Sequence, residues 1–223
     1  MKLLVIGATR GIGARLAERA CGEGHAVTVL ARNPETYRPG ADNIKVIKGD
    51  IRDERSVGSA VAGQDAVCIT IGIGPALRPV TVFSEGTGIV IDAMERYSVP
   101  RLICVTGIGA GDSKGHGGFL YDKIVFPIFL KTIYEDKNLQ ESIVRDSRLQ
   151  WEIVRPGFLT NGPETGRYRV ITDLSGVTCG SISRTDAAHF ILGELLTMKY
   201  ARQTPLLTYR PGEACYRLPL TIT

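Results

Sequence analysis

Short apolar runs alternate along this chain with longer segments whose apolar positions recur at helical spacing. Leu3-Leu4-Val5-Ile6 reads as a first strand, followed by a helix from Ala14 to Cys21 and a second strand from Ala26 to Leu30. Asn43 to Lys48 is a third strand, in which Ile44 and Val46 alternate with lysines. A helix from about Asp53 to Ala62 leads to the strand Ala66 to Ile71, whose unbroken apolar composition suits burial on both faces. The helix Val82 to Tyr97 precedes a fifth strand, Arg101 to Thr106. The stretch Phe119 to Arg148 opens with an irregular apolar part, in which Pro127 marks a break or a start, and continues as a helix. Trp151 to Val154 is a sixth strand. Tyr168 to Ile171 and Val177 to Ile182 read as a small hairpin or paired extension, Thr185 opens a helix to about Met198, and Leu206 to Tyr209 is a last strand. Strands and helices in this alternation predict an α/β fold with a doubly wound, mostly parallel sheet and helices on both faces.

The first strand turns into the first helix through Gly7-Ala8-Thr9-Arg10-Gly11-Ile12-Gly13. Such a turn presents free backbone N–H groups and the positive end of the helix dipole, and its glycines let a pyrophosphate approach the backbone. A bare strand-to-helix turn also needs glycine, but the position at the start of the chain and the second strand at crossover distance favour a dinucleotide site. Gly7, Thr9, Arg10, Gly11 and Ile12 are its expected contacts.

The second strand ends in Ala31-Arg32, with no acid where an NAD site places one for the ribose hydroxyls. Arg32 and Arg10 suit a 2′-phosphate, so the expected cofactor is NADPH/NADP; the alternative is two surface arginines. Asp50 serves either the adenine amino group, with Ile51 over the ring, or the N-terminus of the next helix as a cap. Thr70-Ile71-Gly72 is expected to pass beneath the adenine-side ribose.

A length of 223 residues with 43% hydrophobic content fits a single domain over residues 1–223. The 27 basic and 23 acidic side chains are scattered, which argues against a nucleic-acid binder. Cys21, Cys68, Cys104, Cys179 and Cys215 are dispersed, without a Cys-x-x-Cys pair, and read as reduced thiols. With no leader before the first strand and no apolar run of about 18 residues, the expectation is a cytoplasmic protein, off the membrane and without a metal. The glycine-rich run from Gly107 to Gly118 is expected to be a mobile loop at the ligand-binding edge of the sheet.

The spacing Gly-x-x-x-Gly-x-Gly, Val27-Thr28-Val29-Leu30-Ala31-Arg32, Gly49-Asp50-Ile51, Val82-Phe83-Ser84-Glu85-Gly86, Arg155-Pro156-Gly157, Thr165-Gly166-Arg167-Tyr168 and Ile182-Ser183-Arg184-Thr185-Asp186-Ala187-Ala188 span nearly the whole chain. Together they resemble the atypical short-chain dehydrogenases/reductases, the group of NmrA-like proteins and biliverdin reductase B-like flavin reductases. The resemblance implies a single Rossmann domain and an NADPH preference. It also implies a shallow substrate site over the nicotinamide, between the loops after strands four, five and six and the C-terminal segment. It implies further cofactor contacts at Thr106, Lys137, Pro156 and Phe158.

The catalytic pattern of that group is incomplete here. Lys137 stands where its lysine would, but Ile133 fills the tyrosine position, and Tyr134 lies one residue on, about 100° round the helix. Gly107, preceded by Thr106, replaces a serine. None of His25, His116 and His189 completes an acid/base set.

The expected function is therefore an NADPH-dependent reductase acting on a planar, conjugated small molecule such as a flavin, quinone or tetrapyrrole, with Phe158, Phe119 and Tyr121 available to stack on it. Alternatives are a carbonyl reductase or epimerase using Thr106, Tyr134 and Lys137, and an NmrA-like sensor that binds NADP(H) without catalysis. A monomer or homodimer is expected.

Overall fold

A computed structural model describes residues 1–37, 43–76 and 78–210. Its strands are β1 (Lys2–Ile6), β2 (Ala26–Ala31), β3 (Ile44–Lys48), β4 (Ala66–Ile69), β5 (Arg101–Val105), β6 (Gln150–Pro156), β7 (Phe158–Thr160), β8 (Arg169–Ile171), β9 (Ser181–Ser183) and β10 (Leu206–Thr208). Eight of them form one sheet in the order β3-β2-β1-β4-β5-β6-β10-β8, parallel throughout except for the antiparallel edge strand β8. The fold is thus a Rossmann-like, doubly wound α/β unit.

Side-chain alternation along β1 explains the layers. Leu3 and Val5 pack on one face with Leu16 and Ala17 of helix α1 (Gly11–Gly22) and Ile191 of α5 (Arg184–Thr197). Leu4 and Ile6 pack on the other with Val57 of α2 (Glu54–Val61), Val90 and Met94 of α3 (Val82–Arg96) and Val144 of α4 (Lys131–Asp146). The chain leaves β1 towards β2 on one side and β4 on the other, so a crevice opens at the carboxyl ends of these strands.

Three features differ from the sequence expectation. β4 stops at Ile69, two residues short of the expected end; Thr70 makes the last bond of the parallel ladder to β1, its N–H and hydroxyl both donating to the Ile6 carbonyl, at 2.8 and 3.0 Å. The expected hairpin is absent: β8 pairs with β10, whereas β9 pairs in parallel with β7 as a separate two-stranded sheet. The irregular apolar part of residues 119–148 is a π-helix, Tyr121–Leu130, with Pro127 inside it. The wider turn accommodates a ring that would clash with the carbonyl four residues back in an α-helix. The expected role of the C-terminal segment beyond residue 210, and Cys215 within it, lie outside the described residues. Among the described residues, no helix is long and apolar enough to cross a membrane.

Candidate functional site

A cleft of about 1120 Å³ runs along the carboxyl edge of the sheet. Its lining divides along the chain: one part comes from residues between Ile6 and Ile73, the other mainly from residues between Val105 and Arg184.

Gly7, Thr9, Arg10, Gly11 and Ile12 all line the first part. A Cβ on Gly13 would collide with the Thr70 hydroxyl and come within 2.6 Å of the Gly7 carbonyl, so glycine there lets α1 sit directly on the strand ends. Arg10 precedes α1 in extended conformation and, among the described residues, its side chain makes no cap bond to the helix. The N–H groups of its first turn are therefore free to hold an anion, and a Cβ at Gly11 would point into open space. These features fit a dinucleotide pyrophosphate.

Arg32, exposed just beyond β2, lines the same part, as do Asp50, Ile51, Thr70, Ile71 and Gly72. Asp50 is not the helix cap: Asp53 caps α2, accepting the Ser56 N–H at 3.1 Å, while Asp50 Oδ1 accepts the Arg52 N–H at 2.9 Å. Ala14, Arg15 and Glu18 also line the cleft. Their spacing with Gly11 on one face of α1 is the sequence signal that would have located them.

At the other end stand Thr106, Lys137 and Pro156. Lys137 is buried. Its ammonium donates to the Thr106 carbonyl and lies 4.9 Å from the centre of the Phe83 ring. Burial brings its pKa down to about 8. The Thr106 hydroxyl is committed elsewhere, donating to Glu141 Oε1 at 2.8 Å. Glu141, one turn beyond Lys137 and fully buried, also accepts from Arg155 Nε at 2.9 Å and from a second Arg155 nitrogen at 2.6 Å. Burial alone would raise the Glu141 pKa, but the Arg155 hydrogen bonds and charge outweigh it and hold the carboxylate below its ordinary value. Arg155 is itself completely buried and pairs in addition with Asp112. Sequence reading missed this network; its signal is the arginine at the end of the strand 151–154, with a glutamate on the helix that covers it.

Tyr134 and Phe158 are not among the residues that line the cleft. Tyr134 is buried against Phe126, with ring centres 5.1 Å apart, and burial pushes its pKa well above the usual tyrosine value. Its hydroxyl reaches the backbone at Gly107, where a Cβ would lie 3.0 Å away. Phe158 meets Tyr121 edge to face at 5.0 Å.

The segment Gly107 to Gly118 is tied down rather than free. Ile108 to Ala110 are buried, and the Ile108 carbonyl accepts the Tyr121 hydroxyl at 3.0 Å. The Gly111 N–H donates to Asn138 Oδ1 at 2.8 Å, and His116 contacts the Val177 carbonyl through Nδ1 at 2.7 Å.

Residues 7–197 match the NAD(P)H-binding family, and the chain belongs to it. It is 27% identical over 201 residues to an uncharacterized sugar epimerase, YhfK, of Bacillus subtilis, with 87% of this chain and 88% of that protein covered. Among solved structures it is similar to ChuY, an anaerobillin reductase from Escherichia coli O157:H7, at 27% identity and a TM-score of 0.77, covering 94% and 98% of the two chains. A short-chain dehydrogenase/reductase of Veillonella parvula, solved in complex with NADP, shares the fold at a TM-score of 0.78 and 19% identity, covering 96% of each chain.

Proposed function

We propose that this protein is an NADPH-dependent reductase of a planar, conjugated acceptor: a flavin, quinone, tetrapyrrole or related carbonyl compound. One observation carries the reading: a cofactor-sized cleft ends in a site from which both candidate acids are withdrawn. The Thr106 hydroxyl is given to Glu141, and the Tyr134 phenol is buried with a raised pKa. A conjugated acceptor spreads the added charge and takes its proton from water, so it needs no acid on the protein. When bound, the dinucleotide supplies the hydride. In this reading the free N–H groups at the start of α1 hold its pyrophosphate, Arg10 and Arg32 its 2′-phosphate, and Asp50, Ile51 and residues 70–72 its adenosine. Lys137 holds the second ribose, beside Thr106 and Pro156. Phe158, 37% exposed, and Phe119, 80% exposed, stand with Tyr121 as apolar surface for the acceptor. The similarity to ChuY supports a reductase of this class.

The test mixes the purified protein with NADPH and a panel of flavins, quinones and linear tetrapyrroles, following the loss of nicotinamide absorbance. Turnover of at least one acceptor is expected, and Tyr134→Phe should leave its rate within about two-fold. Tight NADPH binding without turnover on any member would overturn the proposal. Turnover of simple ketones that disappears in Tyr134→Phe would instead assign a carbonyl reductase.

A further inference from the structure

The two-stranded sheet of β7 and β9 borders the cleft through Leu159 of β7 and through the residues that follow the two strands. Its register sets Thr160 against Ser183, so the residues that follow the two strands, Asn161 and Arg184, emerge side by side. Arg184 is the first residue of α5, and its guanidinium donates to Asn161 Oδ1 at 2.8 Å and, more weakly, to the Leu159 carbonyl at 3.4 Å. All three residues line the cleft together with Arg10 and Gly11. The starts of α1 and α5 therefore line the same space, and the dipole of α1, whose N-cap residue Arg10 makes no side-chain cap bond, adds to the two guanidinium groups.

Among the described residues, no nearby carboxylate is bonded to Arg184, although Asp186 offsets the dipole of its own helix. Asp186, in the first turn of α5, is fully buried and accepts hydrogen bonds from Thr165, Gly166 and Tyr209. Glu18, on the facing helix, is paired with Arg15 at 3.1 Å. Among the described residues Arg184 makes no ion pair; a cation in a cleft rests on neutral acceptors. A fork-shaped guanidinium is suited to a doubly charged pyrophosphate, whose outer oxygens the turn amides on the opposite side leave unbonded.

We propose that Arg184 leaves Asn161 and grips the pyrophosphate of the dinucleotide from the side opposite the glycine turn. This rests on the NAD(P)H reading of the cleft but not on the identity of the acceptor. Calorimetry on the full chain tests it with three probes: NADPH, NADH and adenosine 2′-monophosphate, which carries the 2′-phosphate and no pyrophosphate. Arg184→Ala should weaken NADPH and NADH alike, by about ten-fold, and leave adenosine 2′-monophosphate unchanged. Arg184→Lys, which keeps the charge but loses the fork, should fall between, and covers the case in which the alanine variant folds poorly. Unchanged dinucleotide affinity, or equal loss for all three probes, would overturn the assignment. So would a raised KM for the acceptor at unchanged NADPH affinity, which would give Arg184 to the acceptor. Failure of the unaltered protein to bind either dinucleotide would remove the cofactor reading itself. Binding without turnover would remove the proposed reaction and leave Arg184 in place.

Discussion

Arg32 lines the cleft just beyond β2, whose own last residues, Leu30 and Ala31, carry no carboxylate to accept ribose hydroxyls. Replacing it with alanine should weaken NADPH binding by about ten-fold while changing NADH affinity by less than about two-fold, measured side by side by fluorescence titration. Lys137 gives a prediction in pH. Its buried ammonium loses a proton near pH 8, so the cation is present below that value and absent above it. NADPH affinity should accordingly fall as pH rises from about 7 to about 9.5, and Lys137→Met should bind more weakly with that dependence gone. Cofactor residues such as Gly11 and Arg32 were legible in the sequence because their function follows from a local turn and a strand end. The direction of the Thr106 hydroxyl was not, because Glu141, which takes it, lies 35 residues away. Tyr134 was readable only as displaced from the expected register; that it packs on Phe126 depends on the π-helix before it.

At the scale of elements, the end of the cleft at Thr106 and Lys137, which the proposed reading gives to the acceptor, is a junction of α4, the end of β6 and the segment after β5, held by Arg155 between Glu141 and Asp112. Arg155→Leu would leave Glu141 charged and buried with the neutral Thr106 hydroxyl and the partly exposed Arg145, each at 2.8 Å, as its partners. Loss of about 3–5 kcal/mol of stability is expected, read from urea unfolding; a loss below about 1 kcal/mol would show that the junction is held by packing alone. The long strands and helices were visible as periodicity. The three-residue strands were not assignable in the same way, since β8 and β9 carry too few positions to choose a partner, and each found a strand outside its own neighbourhood. Pro127 was correctly a point of irregularity, but a π-helix can carry it without stopping.

For the molecule as a whole, the alternation of elements was sufficient to give the Rossmann-like sheet, because burial on two faces imposes it at the central strands β1, β2, β4, β5 and β6. One buried charge acts on the stability of the whole fold. Glu152 of β6 is fully buried beside Glu194; burial, and then the Glu194 charge and hydrogen bonding between the two carboxyls, push its pKa up to about 9 from an ordinary value near 4.5. It is therefore protonated in the folded protein and ionised in the unfolded chain at neutral pH. Its contribution to stability erodes as pH rises from about 4.5 towards about 9. Glu152→Gln should leave the melting temperature nearly unchanged near pH 4.5 and raise it progressively towards pH 9. A constant difference across a pH series of melting curves would show that Glu152 is not the group responsible.

The division of the cleft lining along the chain has a consequence for inheritance. Under the proposed reading, contacts that choose the nucleotide fall before residue 74, and contacts at the acceptor end lie mainly after residue 104. A single crossover in the intervening stretch would exchange one block for the other, since β4 and β5 meet through parallel backbone pairing that many apolar side chains satisfy. Joined to the first third of a relative that uses NADH, the remainder of this chain would keep its acceptor and change its electron donor. Cofactor and acceptor could thus diverge as separate traits within one continuous fold.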